Sequence, residues 1–144
     1  MKYIGLDVGD RRIGVAMSET GLIASAVGNV VRDGDFEADL QKTADKIKEL
    51  RGDIIVVGLP KNMNGTIGPR AESVMEFAEA LKCKIHVPIR YWDERLTTVA
   101  AHKVLIEAGM RREKRKENVD RIAAVLILQG FLDFNGNNKN QTLF

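Results

Sequence analysis

The chain has 144 residues, 44% hydrophobic and 29% charged, which at roughly 100–200 residues per domain is one domain large enough for a core of its own. Its ordinary apolar fraction excludes whole-chain disorder, and its single cysteine, Cys83, excludes an internal disulfide and suits a reducing compartment. A net charge of +2, from 22 basic and 20 acidic residues, does not by itself announce a nucleic-acid binder; only clustering of the cations does.

No run reaches the roughly 20 apolar residues of a membrane span. The opening MKYIGLDVG has no small-residue cleavage site. The expectation is therefore a cytoplasmic protein with no membrane partner.

Lys2 to Val8 is apolar and β-rich, Gly9 to Arg12 supplies a turn, and Ile13 to Ser18 reads as the second strand of a hairpin. A third strand fits Ala26 to Arg32. Phe36, Leu40, Ala44, Ile47 and Leu50 then form one stripe at helical spacing, with Asp35 as a cap and Gly52 just past the end. Asp53 to Gly58 is a buried strand and Leu59 to Gly68 a loop. Pro69 suits the first position of a helix carrying Ala71, Val74, Ala78 and Leu81. Lys84 to Trp92 reads as a strand, with Pro88 marking an edge or bulge. Thr97 or Thr98 caps a helix ending at Gly109, and Asn118 caps a last helix through Phe134. The polar stretch NGNNKNQ places residues 135–144 in a disordered tail, leaving 1–134 as the domain.

The order βββ-α-β-α-β-α-α implies an α/β fold. Its five-stranded sheet is mixed: three antiparallel strands, then two parallel strands joined through helices, with helices on both faces and the first strand central.

Asp7 lies within an apolar strand, where an unpartnered carboxylate costs several kcal/mol or shifts its pKa upward. It either accepts hydrogen bonds from the following glycine turn or serves chemistry. Gly9 and Gly14 would let a phosphate or metal approach the backbone. Asp93 and Glu94 end the fifth strand, where open α/β sheets bind ligands. Alternation groups Asp93 with Ile89 and Tyr91, and Glu94 with Arg90 and Trp92, without saying which group faces Asp7. Asp120 shares a helix face with Ala123, Ala124, Ile127 and Phe131; the alternative role is a favourable charge in a first turn.

Together these carboxylates form an oxygen-only set, which selects Mg²⁺ or Mn²⁺ over zinc. Such ions suit displacement at a phosphodiester. His86, His102 and Cys83 fall short of a four-ligand structural zinc site. The substrate side is basic. Arg111 to Glu117, RREKRKE, carries +3 over seven residues through Arg111, Arg112, Lys114, Arg115 and Lys116. Lys61, Asn62 and Asn64 add donors in the loop after the fourth strand, and Arg11 and Arg12 sit in the first turn. Trp92 either stacks on a base or fills the core.

The segments GLDVGDRRIGVA, GLPKNMNGTIGPRA, WDERLTT and KRKENVDRIAAVLILQG together resemble the YqgF/RuvX family over about Lys2 to Asp133. The resemblance implies an RNase H-like fold of the RuvC-like branch. It also implies a metal-dependent nuclease that matures the 5′ end of 16S ribosomal RNA, with Holliday junction resolution as the alternative. The family's acidic positions fall on Asp7, Glu94 and Asp120, so resemblance prefers Glu94 over Asp93, which stays secondary. RuvC resolvases carry a fourth position near the last acid; here Glu117, three residues before Asp120, is the nearest carboxylate. Arg70 and Arg95, within the matching motifs, join the expected nucleic-acid contacts. The expected partners are pre-ribosomal RNA or branched DNA and ribosomal particles, and the chain is expected as a monomer or weak homodimer. Two other readings share these residues. Asp7-Val8-Gly9 with Gly14 also resembles the first phosphate loop of actin-like and sugar-kinase ATPases, and the basic segments alone would serve a non-catalytic RNA-binding module.

Overall fold

The opening hairpin forms as its alternation demands. In the computed structural model, which describes residues 1–96 and 122–135, β1 (Tyr3–Val8) pairs antiparallel with β2 (Arg12–Ser18), Asp7 opposite Gly14. β3 (Ser25–Val31) continues the antiparallel side, with a bulge at Val15/Ala16. β4 (Ile54–Leu59) and β5 (Ile89–Asp93) extend the sheet in parallel, giving the order β3-β2-β1-β4-β5 with β1 central. The mixed sheet is as the strand order implies.

Helix α1 (Phe36–Leu50) starts where Asp35 accepts from the Glu37 and Ala38 amides. Its end departs from expectation. Arg51, not Gly52, adopts the left-handed conformation at φ 57°. Gly52 has a packing reason instead: a Cβ there would lie 2.4 Å from Ile4 Cδ1. Helix α2 (Pro69–Lys82) begins with Pro69 in its first turn. The fifth strand is shorter than Lys84 to Trp92. Pro88 has no amide to give a ladder; it only accepts, from the Ile55 amide at 2.9 Å, and pairing starts at Ile89. A 3₁₀ turn, Glu94–Leu96, follows β5.

Two cores sandwich the sheet. Ile4, Leu6, Val15, Ile55, Val57 and Leu59 pack against Leu40, Ile47, Phe77 and Leu81 of α1 and α2. Ala16, Val56 and Trp92 pack on the opposite face against Ala124, Ile127, Leu128 and Leu132 of a helix, α3, spanning residues 122–135. Helices therefore cover both faces. Gln129 ties α3 to the β2–β3 connection, accepting from the Ala24 amide and donating to the Leu22 carbonyl, both at 2.9 Å. Among the described residues no helix is long and apolar enough to cross a membrane. The expected helix from Thr97 or Thr98 to Gly109, the start of the last helix, and residues 136–144 of the expected tail lie outside the described residues.

Candidate active site

The α3 face of the sheet carries the acidic pair. Ile4, Leu6 and Val8 belong to the α1/α2 core, so alternation turns Tyr3, Gly5 and Asp7 toward α3. Gly5 is glycine because α3 lies directly on it: a Cβ there would meet Leu128 Cβ at 2.7 Å and the Ala124 carbonyl oxygen at 2.9 Å. Asp7, one residue from the end of β1, is half-buried rather than enclosed.

β5 resolves the choice that periodicity left open. Trp92 packs into the α3 core, 8% exposed, so the core reading of this tryptophan holds. Glu94, two residues on, turns to the same side. A Cβ on Gly58 would lie 2.6 Å from Glu94 Oε1 and 2.4 Å from Ile127 Cδ1. Glu94 thus reaches across β4 over a glycine and hydrogen-bonds with Asp7. Gly58 stands one step beyond the Leu6–Val57 pair, and Gly14 is opposite Asp7 on β2, so the acid is flanked by glycine on both neighbouring strands. Sequence reasoning missed Gly58 as a site residue. The signal was a lone glycine inside the apolar run IIVVGL, which marks a close approach.

Burial pushes the Glu94 carboxyl above the usual carboxylate range, against the pull of the Arg70 guanidinium and the hydrogen bond from Asp7; the adjacent Asp93 charge adds to the rise. Two hydrogen-bonded carboxyls share a proton, or a cation takes its place. An all-oxygen pair on a bare glycine floor fits a hard divalent cation. Among the described residues no group of three metal-ligating side chains occurs. Asp120, the third expected acid, lies outside them, as do Arg111, Arg112, Lys114, Arg115 and Lys116 of the basic segment.

Asp93 points elsewhere. Its carboxylate takes the Arg95 guanidinium at 2.6 Å from Nη2 and 3.0 Å from Nε, and the Arg95 amide at 3.0 Å. Arg95 and the nearby Lys61 charge hold it below the usual carboxylate range. Arg95 in turn donates to the Met63 carbonyl at 3.4 Å, bracing the β4–α2 loop. That loop uses its own amides: Asn62 Nδ2 donates to Thr66 Oγ1 at 3.0 Å, and Asn64 Oδ1 accepts from the Thr66 amide and hydroxyl. Lys61 is half-buried beside it, and Arg70 is exposed in the first turn of α2. Arg12 opens β2 on the face of Gly14, and Arg11 is exposed in the turn. Gly9 serves that turn. Its amide donates to the Arg12 carbonyl at 3.0 Å, and a Cβ would come within 2.7 Å of the same oxygen.

Arg32 holds this turn from behind. It donates to the Gly9 carbonyl at 2.9 Å, pairs at 3.0 Å with Asp39, and lies 5.1 Å over the Phe77 ring. Asp39 is buried, 1% exposed. Val8, Asp10, Arg32, Arg70 and Ser73 line a cleft of about 230 Å³ at this end of the sheet.

A family model described as RuvX: Holliday junction resolvase matches residues 1–134. The chain belongs to the RuvX family. A Clostridium novyi (strain NT) relative named "Putative pre-16S rRNA nuclease" is 51% identical over 134 residues, covering 92% of this chain and 98% of its own. A relative of the same name from Clostridium tetani is 52% identical over 134 residues, covering 92% and 96%. Among solved structures, Thermus thermophilus RuvC in complex with a Holliday junction substrate superposes with a TM-score of 0.60 at 14% identity, over 92% of this chain and 94% of that one. The fowlpox virus resolvase, solved with its Holliday junction DNA, gives 0.57 at 9%, over 92% and 97%. Likeness at these identities is one of fold, and the fold of this RuvX-family chain is RNase H-like, as its motifs imply.

Proposed function

We propose that this RuvX-family chain is a metal-dependent endonuclease of structured RNA, acting at the 5′ end of precursor 16S ribosomal RNA. The observation that carries the reading is the hydrogen-bonded pair Asp7–Glu94 over Gly58, at the carboxyl ends of β1 and β5. The names of relatives about 50% identical supply the substrate.

Asp7 and Glu94, with Asp120 from the chain's last acidic motif, would hold the cation. When bound, it supplies the positive charge that a phosphodiester needs as negative charge builds on its oxygens. The chain's own cations do the rest. Arg70, close enough to act on the Glu94 charge, would take a phosphate oxygen beside the carboxylates. Arg11, Arg12 and Lys61 extend the positive surface along the strand ends, and the basic segment 111–116 adds sequence-independent attraction to the backbone. The site needs no histidine or cysteine nucleophile.

The test is Mg²⁺- and Mn²⁺-dependent cleavage of a ribosomal RNA precursor and of a synthetic four-way DNA junction, wild type beside Asp7→Asn. RNA cleavage lost in the variant supports the proposal. The family model's description favours the junction as the second reading, and symmetric junction nicking without RNA cleavage would replace the first with it. Equal cleavage by Asp7→Asn would remove the carboxylate assignment.

A further inference from the structure

We propose that Met63 is a wedge that enters a base step of structured nucleic acid beside the Asp7–Glu94 pair and fixes the strand to be cut. The proposal rests on the nuclease reading and gives it a substrate geometry: a boundary between paired and unpaired bases.

Met63 is 93% exposed at the tip of the loop between β4 and α2. A single exposed apolar side chain ordinarily needs no explanation. This one is held out on a braced support. Within the loop, the Asn62 amide donates to the Thr66 carbonyl at 3.0 Å and the Gly65 amide to the Asn62 carbonyl at 2.8 Å. Gly65 takes the positive φ of 87° that the tight turn requires. The Asn62, Asn64 and Thr66 side chains bond to one another. From outside, Arg95 grips the Met63 carbonyl while Asp93 grips Arg95.

That clamp also ties the loop to the acidic pair, because Arg95 is the residue after Glu94. Residues 61–70, KNMNGTIGPR, carry two cations and no acid, which favours a phosphate-bearing partner. Methionine suits the task. It is unbranched and polarisable, makes no directional demand, and belongs with the apolar side chains that open base steps. A loop already ordered loses little freedom on binding.

The experiment uses a bulged RNA hairpin with 2-aminopurine at the paired–unpaired boundary, titrated with the full chain in EDTA so that the strand stays intact. Wild type is expected to raise the 2-aminopurine fluorescence on binding. Met63→Ala is expected to lose that rise while weakening binding by about tenfold at most, because phosphate contacts dominate affinity. Met63→Leu is expected to restore it. Binding with an unchanged rise in Met63→Ala, or with no rise in wild type, would overturn the wedge alone. A wild-type chain that binds no RNA would overturn the RNA-nuclease reading and the wedge together.

Discussion

Glu94 Oε1 lies over Gly58 so closely that a Cβ on residue 58 would stand 2.6 Å from it. The same Cβ would meet Ile127 Cγ1 at 2.9 Å, and Ile127 is buried with nowhere to swing. Alanine normally gains about 0.5–1 kcal/mol over glycine in a strand. Here overpacking of about 1–3 kcal/mol outweighs that gain. Gly58→Ala should therefore lower the urea midpoint and impair cleavage together, as Glu94 leaves Asp7. An alanine variant as stable and active as wild type would show that the glycine floor is not needed.

A cation held by Asp7 and Glu94 should stabilise the fold as well as serve the reaction. At a concentration one hundred times its dissociation constant, Mg²⁺ or Mn²⁺ should add about 2.7 kcal/mol. Thermal unfolding with and without each ion should show this in wild type and not in Asp7→Asn or Glu94→Gln. Equal shifts in all three chains would place the ion elsewhere.

Asp39 is buried against Arg32, and removing it strands a guanidinium that is 17% exposed. Asp39→Ala should cost about 3 kcal/mol, the low end for breaking a buried pair, since some water reaches Arg32. Because Arg32 also holds the Gly9 carbonyl, amide exchange in the turn after Asp7 should quicken in the same variant. Loss of stability well under 1 kcal/mol in chemical denaturation would mark the pair as dispensable.

Tyr91 donates to Glu79 at 3.1 Å, joining β5 to α2, and burial with that carboxylate's charge pushes its hydroxyl up to about 12 from the ordinary 10.0. The folded chain holds this proton more tightly than the unfolded one. The contribution to stability is complete below pH 10 and is lost as pH rises toward 12. Absorbance titration should show a late phenolate that is missing in Tyr91→Phe. A Tyr91 phenolate that forms near pH 10 would contradict the contact.

Much of the fold was legible because its signals are local. Asp35 capped α1, Pro69 opened α2, and the βββ-α-β-α-β order allowed few topologies. The carboxylates were legible one at a time. Their meeting was not, because the choice between Asp93 and Glu94 turns on which face Trp92 occupies, and an indole suits either. The fifth strand was read too long because Ile85 and Val87 alternate like strand residues while Pro88 denies them a ladder. Asn62 and Asn64 look like free donors in sequence, yet Asn62 donates to Thr66, and Asn64 meets the same residue as an acceptor. The Arg32–Gly9 bond joins residues 23 apart across the strand ends, and no spacing rule announces it.

The parallel pairing of β1 with β4 and β4 with β5 also orders events in time. Asp7 and Glu94 are 87 positions apart, and nothing local draws them together. During synthesis at about 5–20 residues per second, the first carboxylate waits on the order of ten seconds for the second to be made. The early hairpin of β1 and β2 can form within that interval, but it carries only half of the acid pair. If the pair cuts RNA as proposed, a nascent chain would be inert toward the RNA around it until its third crossing of the sheet's parallel side is complete, and activity would arrive with the finished fold.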